Sequence, residues 1–336
     1  MQVAVLAHES FPDRAKTAVG LLRYGDHEVR AVIDRARAGG RVADVLPDVQ
    51  DAPIVASMAD VPAVDALVVG ISPIGGGFDE SWRPDVRAAL ERGCDVVAGL
   101  HDFLEDDPEF VRLAEEHDAE LQDLRKPPDD LTVAEGTAGE VDATVVTTVG
   151  TDCSTGKMTA SFEIRDAARE RGLDAAVVPT GQTGVAITGW GIAVDRVIAD
   201  YAAGAVERLV ETPEEQDLLV VEGQGALAHP AYSGVTTSIL HGSAPDALVL
   251  CHNAGQEVIH GYESFAIPPL DEYVDVYERL AAPVSEATVD AGMLNTSALD
   301  ADDAAAAVET YREALGVPAT DPVRDGVPDE VLDAIL

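Results

Sequence analysis

Short apolar runs separated by amphipathic stretches set the pattern of the chain. VAVLAH (3–8), EVRAVID (28–34), DALVVGIS (65–72), DVVAGL (95–100) and AELQDL (119–124) each predict a buried or half-buried strand. Helical spacing over 81–92 and 108–117 falls between such runs. Alternation of this kind predicts a parallel α/β sheet. The periodicity then stops in RKPPDDLTVAEGTAGEVD (125–142), a stretch rich in Pro, Gly and acid that reads as a linker. We therefore expect one domain over 1–135 and a second over 136–336.

A second α/β set follows. ATVVTTVG (143–150) predicts a buried strand that runs into a Gly-containing loop and a helix over 157–171. DAAVVPT (174–180), DLLVVEG (217–223), DALVLCH (246–252) and EATVDAGMLN (286–295) predict further strands. Helices are expected over 192–210, 271–281 and 302–315, and a loop-like tail over 316–326.

Charge narrows the class of partner. The 336 residues include 62 Asp plus Glu against 22 Lys plus Arg, a formal net charge of -40. So negative a chain repels phosphate backbones and anionic lipid, so no nucleic-acid or membrane partner is expected. A hydrophobic fraction of 46% is ordinary for a folded globule and too high for a disordered acidic chain. Only Lys16, Lys126 and Lys157 are lysines. Abundant acid with almost no lysine suggests a salt-rich cytoplasm, where a Debye length of about 3 Å at molar salt screens surface repulsion. Cys94, Cys153 and Cys251 are too scattered for a disulfide framework or a zinc pattern. The start of the chain carries no signal-peptide pattern, no apolar stretch approaches membrane length, and a soluble cytoplasmic protein is expected.

The strongest chemical signal is VVTTVGTDCSTGKMTAS (145–161). A buried strand, a turn ending in Gly156-Lys157 and a helix make a phosphate cradle: backbone N–H groups, the helix N-terminus and a lysine converge on phosphate oxygens. The candidate ligand-binding set is Gly150, Thr151, Asp152, Cys153, Ser154, Thr155, Gly156, Lys157, Met158 and Thr159. The spacing departs from GxxxxGK[ST] twice. Thr151 stands at the first Gly position, and Met158 stands where a hydroxyl ligates magnesium, with Thr159 one place later. In a chain nearly without lysine, Lys157 in this loop gains weight.

The second signal is DLLVVEGQGALAHPAYSG (217–234). An acid at the end of a neighbouring strand, here Glu222, is the usual complement of such a cradle. His229, Tyr232 and Ser233 follow on what reads as a loop. Two more segments bear on binding. PTGQTGVAITGWG (179–191) reads as a loop that brings Gln182 and Thr183 after a strand, able to close over the acyl group or substrate, and Asn295 ends the strand in GMLNTS (292–297), placed to meet a base ring.

GTDCSTGK with VVEGQG resembles the dethiobiotin-synthetase branch of P-loop proteins. The whole chain is more similar to a family of long-unknown function in which an N-terminal Rossmann-like domain is fused to a P-loop NTPase-like α/β domain. The resemblance rests on KTAVGLLRY (16–24), GLHDFL (99–104), DLRKPP (123–128), GTDCSTGKMT (150–159), PTGQTGVAITGWGIAVDRVIADYAAGA (179–205), VEGQGALAHPAYSGVTTSILHGSAPDALVLCH (221–252) and GVPATDPVR (316–324). A bacterial member acts as a D-glutamate N-acetyltransferase. The resemblance thus implies acetyl transfer from acetyl-CoA to the amine of a glutamate-like amino acid.

Coenzyme A carries a pyrophosphate and a 3′-phosphate that the cradle suits, and Met158 disfavours Mg-ATP hydrolysis. The alternatives are a ligase or kinase that uses ATP with magnesium, and a nucleotide-binding protein without turnover. Transfer to an amine needs a base, oxyanion donors and cations for substrate carboxylates. Glu222, His229, His241 and His252 are candidate bases, His229 the preferred one, with Glu222 and His229 taken as the catalytic pair. Arg23, Arg125 and Lys126 are candidate carboxylate clamps, and Gln182, Thr183 and Tyr232 further substrate contacts. Cys153 reads either as a small residue that fits a tight loop or as an acyl acceptor. A small anionic amino acid is the expected substrate, no resident metal is expected, and a homo-oligomer is.

The N-terminal half lacks GxGxxG after its first strand, so NAD binding of the usual kind is not supported. Asp34 ends the second strand, where a ribose-binding acid would sit. GISPIGGGFDESWR (70–83) is a Gly-rich loop that reads equally as a surface connection or as a substrate contact in a site partly roofed by this domain.

Overall fold

A computed structural model describes residues 1–71, 73, 76–213 and 215–336. Residues 72, 74 and 75 of the Gly-rich loop lie outside the described residues. The chain divides into two compact units, one of residues 1–127 with 182–193, the other of 128–181 with 194–336.

The first unit holds strands β1 (Gln2–Leu6), β2 (Glu28–Ile33), β3 (Ile54–Val55), β4 (Ala66–Val69), β5 (Asp95–Ala98) and β6 (Leu121–Asp123), with helices α1 (Lys16–Tyr24), α2 (Arg83–Glu91) and α3 (Pro108–His117). All strand pairs are parallel in the order β3-β2-β1-β4-β5-β6, the doubly wound arrangement expected of a Rossmann-like domain. Helix α3 starts where its sequence says it should: Asp107 accepts from the N–H groups of Glu109 and Phe110, and Pro108 opens the first turn.

The second unit is built on β7 (Thr144–Gly150), followed by α4 (Lys157–Glu170) and β8 (Ala175–Val178); the chain then passes through α5 (Gln182–Thr188), which belongs to the first unit, and returns with α6 (Ala199–Glu211), β9 (Leu218–Val221), α7 (Ser233–Ser243), β10 (Ala247–Asn253), β11 (Val258–Ile259), β12 (Tyr262–Ala266), α8 (Leu270–Ala281), β13 (Thr288–Asn295), α9 (Ala301–Leu315), β14 (Ala319–Thr320) and α10 (Asp329–Ile335). Its six-stranded sheet runs β14-β13-β10-β7-β9-β8, all parallel, which puts β7 at the centre and the acid-tipped β9 beside it.

Strand periodicity explains the two core layers around β7. Val146 joins Ile164, Leu218, Val249 and Leu332 on one face, and Val149 joins Leu248, Leu250, Tyr273 and Tyr277 on the other. The two threonines between these valines follow the same alternation. Thr147 pairs its hydroxyl with Ser243 of α7 at 2.9 Å, and Thr148 pairs with Ser161 of α4 at 3.1 Å.

Several sequence expectations are corrected. The segment over 179–191 is not all loop: it contains α5, which packs on α1 within the first unit, where a Cβ on Gly20 would fall 2.8 Å from Ile187 Cδ1. The helix expected over 192–210 begins only at Ala199, after a 3₁₀ turn at Val194–Arg196. The loop after His229 becomes α7 at Ser233, and the tail contributes β14. Helices α1 and α10 and the β11–β12 hairpin have no counterpart in the pattern reading. Among the described residues, no helix is long and apolar enough to cross a membrane.

Candidate functional site

The cradle lies at the carboxyl end of β7, in the second unit. Gly150 leaves the strand where a Cβ would fall 2.6 Å from Thr155 Oγ1 and 2.8 Å from Lys157 Nζ, so a side chain there would fill the turn. Ser154 (φ 55) and Gly156 (φ 92) take left-handed backbone, which lets the loop close before α4 begins at Lys157. Thr151, Asp152 and Thr155 are buried, and Cys153 is half-buried. Lys157 is also buried, and its ammonium donates to the Asp152 carbonyl at 2.7 Å and to Thr155 Oγ1 at 3.4 Å. The cation thus lies over the loop it would share with a phosphate.

Met158 is buried at 5% exposure. Thr159 lines a cavity of about 100 Å³ with Thr155, Gly156, Met293, Asn295, Asp321 and Val323. Asn295 reaches this cavity while donating to Asn253 Oδ1 at 2.9 Å and accepting from the Ser297 N–H at 3.1 Å. Cradle and Asn295 therefore form one continuous surface, with a pocket on the α4 side of the loop.

Sequence reasoning missed two tyrosines that hold the loop from behind, and it read His252, which joins them, only as a candidate base. Tyr277 and Tyr273 of α8 donate to the carbonyls of Gly150 and Thr151 at 2.7 and 2.6 Å. Burial raises both phenols far above their ordinary range, so both stay protonated donors. His252 lies with Nδ1 2.7 Å from Thr151 Oγ1, and burial pulls its pKa down to about 4. These contacts join residues about a hundred or more positions apart, which no local pattern reveals.

Directly after β9, the buried Glu222 accepts from the Gly181 N–H at 3.2 Å. Gly223 approaches β7 so closely that a Cβ would fall 1.8 Å from the Thr148 carbonyl oxygen. Its N–H donates to Thr148 Oγ1 at 3.0 Å. The glycine after the acid is thus fixed by packing between neighbouring strands.

His229 is buried, and its Nε2 lies 3.9 Å from Asp152 Oδ1. Its Nδ1 accepts the Ala231 N–H at 3.1 Å. Burial lowers its pKa, Lys157 adding to this and Asp152 opposing it, so the ring is neutral at neutral pH. A neutral imidazole whose Nδ1 is an acceptor carries its proton on Nε2. In this arrangement Nε2 is a hydrogen-bond donor toward the cradle and not a free base.

Asp152, Cys153 and His229 bring one ligand atom each within 4.8 Å of one another. A metal on His229 Nε2 would require Nδ1 to hold the proton, which the Ala231 N–H opposes. Asp152 is committed as well: Oδ1 accepts from the Cys153 N–H, and Oδ2 from Gln256 Nε2 and the His260 N–H, at 2.6 to 2.7 Å. Both Asp152 carboxylate oxygens and His229 Nδ1 are thus already engaged by N–H donors.

The remaining predicted contacts divide between the units. Tyr232 is exposed beside His229, ring centroids 4.5 Å apart. In the first unit, the buried Arg125 donates from Nε to the Gly99 carbonyl at 2.8 Å. A Cβ on Gly99 would fall 2.7 Å from Gln182 Cγ, so Arg125 and Gln182 flank one glycine. Thr183 bonds Thr17 at 2.9 Å. Lys126 is half-exposed and ion-paired with Glu105, and Arg23 is half-buried in the last turn of α1.

Residues 132–332 match a family described as a domain of unknown function, DUF1611_C, P-loop domain, and residues 35–127 match its partner, DUF1611_N, Rossmann-like domain. The chain is 37% identical over 262 residues to a D-glutamate N-acetyltransferase of Pseudoalteromonas sp, covering 78% of each chain. It is 35% identical over 278 residues to a D-glutamate N-acetyltransferase of Tritonibacter scottomollicae, covering 82% of this chain and 83% of that one. Its fold is similar to the crystal structure of a DUF1611 family protein from Anabaena variabilis, with TM-score 0.93, 38% identity and coverage of 99% and 98% of the two chains. Matching domains over most of the length, and relatives above one-third identity, place this chain in the DUF1611 family of Rossmann-like plus P-loop proteins.

Proposed function

We propose that the protein is an N-acetyltransferase that moves an acetyl group from acetyl-CoA to the amine of a glutamate-like amino acid. The observation that carries this reading is a phosphate cradle with a buried methionine, Met158, at the position that would otherwise offer a metal-binding hydroxyl. Two relatives named D-glutamate N-acetyltransferase support the reaction class. The pyrophosphate of the donor binds the loop amides and Lys157, and its adenosine side lies toward Thr159 and Asn295. The acceptor amine, once deprotonated, attacks the thioester carbonyl. The C–N bond forms, the C–S bond breaks, and the coenzyme A thiolate leaves to take a proton.

Glu222 is the base in this proposal, because its carboxylate lies at the carboxyl end of β9 beside the cradle. His229 acts as a donor through Nε2–H. Cys153 sits inside the phosphate loop, a pantetheine arm's length from the thioester, so transfer is direct and passes through no acyl-cysteine.

A titration in high KCl with acetyl-CoA and with Mg-ATP, with and without D- and L-glutamate, tests the proposal. Acetyl-CoA binding and glutamate-dependent release of free thiol are expected. Tight Mg-ATP binding with phosphate release, and no binding of acetyl-CoA, would replace this reading with the ATP-dependent one.

A further inference from the structure

The chain has an acidic surface and few aromatics, yet exposed rings gather at one place. Among the described residues four aromatic side chains are exposed, Tyr201, Tyr232, Tyr262 and Phe265. Three of them form a chain of contacts through His229. Tyr232 lies 4.5 Å from the imidazole, Tyr262 meets it edge-on at 5.1 Å, and Phe265 meets Tyr262 edge-on at 6.3 Å.

Tyr262 and Phe265 stand on β12, all five residues of which are exposed. An isolated two-stranded ribbon is marginal in water, so this one needs anchors. Ile259 is fully buried, and the His260 N–H and the Gln256 amide both donate to Asp152 Oδ2. Asp152 belongs to the phosphate loop. The hairpin is therefore tied to the cradle through Asp152.

We infer that Tyr232, Tyr262 and Phe265 form the subsite for the acyl-pantetheine arm of the donor. This rests on the acetyl-CoA reading above and adds to it a direction and a set of contacts. With adenosine on the Thr159–Asn295 side and pyrophosphate over the loop, the arm leaves at Asp152 and Cys153. There it meets the His229 Nε2–H and then the aromatic ledge. A pantetheine arm alternates methyl and methylene groups with two amides. Aromatic faces cover the first, and tyrosine hydroxyls bond the second.

The test compares acetyl-CoA with adenosine 3′,5′-bisphosphate, which keeps the adenosine and two of the three phosphates and lacks the arm. Both are titrated calorimetrically into the unaltered protein and into a Tyr262→Ala/Phe265→Ala variant, in high KCl. The variant is expected to bind acetyl-CoA about tenfold or more weakly and the bisphosphate within about twofold of the unaltered protein. Retained bisphosphate binding also shows that the cradle is folded. Acetyl-CoA binding that survives the double substitution overturns the subsite, as does equal loss of both ligands, which would make the hairpin a support of the fold. A changed sedimentation coefficient with unchanged acetyl-CoA affinity overturns it too, making the ledge a contact between copies. Failure of the unaltered protein to bind acetyl-CoA removes the donor reading itself, an outcome distinct from the others.

Discussion

The backbone N–H of Ala231 points at His229 Nδ1, 3.1 Å away, and thereby sets which nitrogen of the ring holds the proton. The residue most readily taken for a base from its position is placed as a donor. His229→Gln keeps an N–H of similar reach, whereas His229→Ala removes it. We expect the Gln variant to retain turnover and the Ala variant to lose roughly tenfold or more. Equal losses on the order of 10²–10⁴-fold in both would return the ring to the role of base.

Lys157→Met keeps the stem of a buried side chain and removes the charge over the loop. Hydrogen bonds to charged groups contribute about 1.5–3 kcal/mol, so ligand binding should weaken roughly 10- to 100-fold. Calorimetric titration with the phosphate ligand reads this directly. Unaltered affinity would place the phosphate site elsewhere.

His252 links the cradle to acid stability. Its folded pKa of about 4 lies below the ordinary value of 6.5 because burial penalises its charged form. Above pH 6.5 both states are neutral and the contribution is complete. As the pH falls from 6.5 toward 4, the unfolded chain takes up a proton that the folded chain refuses, so stability is lost over that window. At about 1.4 kcal/mol per pKa unit, the loss is on the order of 3 kcal/mol. Denaturant melts of the protein and of His252→Asn, across this range, should show a shallower pH slope in the variant.

The net charge of -40 predicts a salt requirement for folding. Surface carboxylates that repel one another in dilute buffer are screened at molar salt. The melting temperature should drop by roughly 10 °C or more on moving from molar to millimolar KCl. A melt that does not move would show that the acid surface is not an adaptation to salt.

What the sequence determined by itself was what is contiguous. Strand, glycine turn, lysine and helix follow one another over 144–170, so local propensity and spacing suffice to recognise a cradle. The acid-tipped strand and the parallel α/β class were legible for the same reason, since their signals repeat within a few residues. The assembly around them came only from tertiary structure. Nothing local tells that Gln182 and Thr183 pack in the first unit, beside Gly99 and Thr17, although they follow a strand of the second. Nor does spacing show that Asp152 anchors a hairpin, or that two tyrosines of α8 hold the loop carbonyls. The proton on His229 is the sharpest case. It depends on which N–H faces which nitrogen, and therefore on how the chain after β9 turns in space.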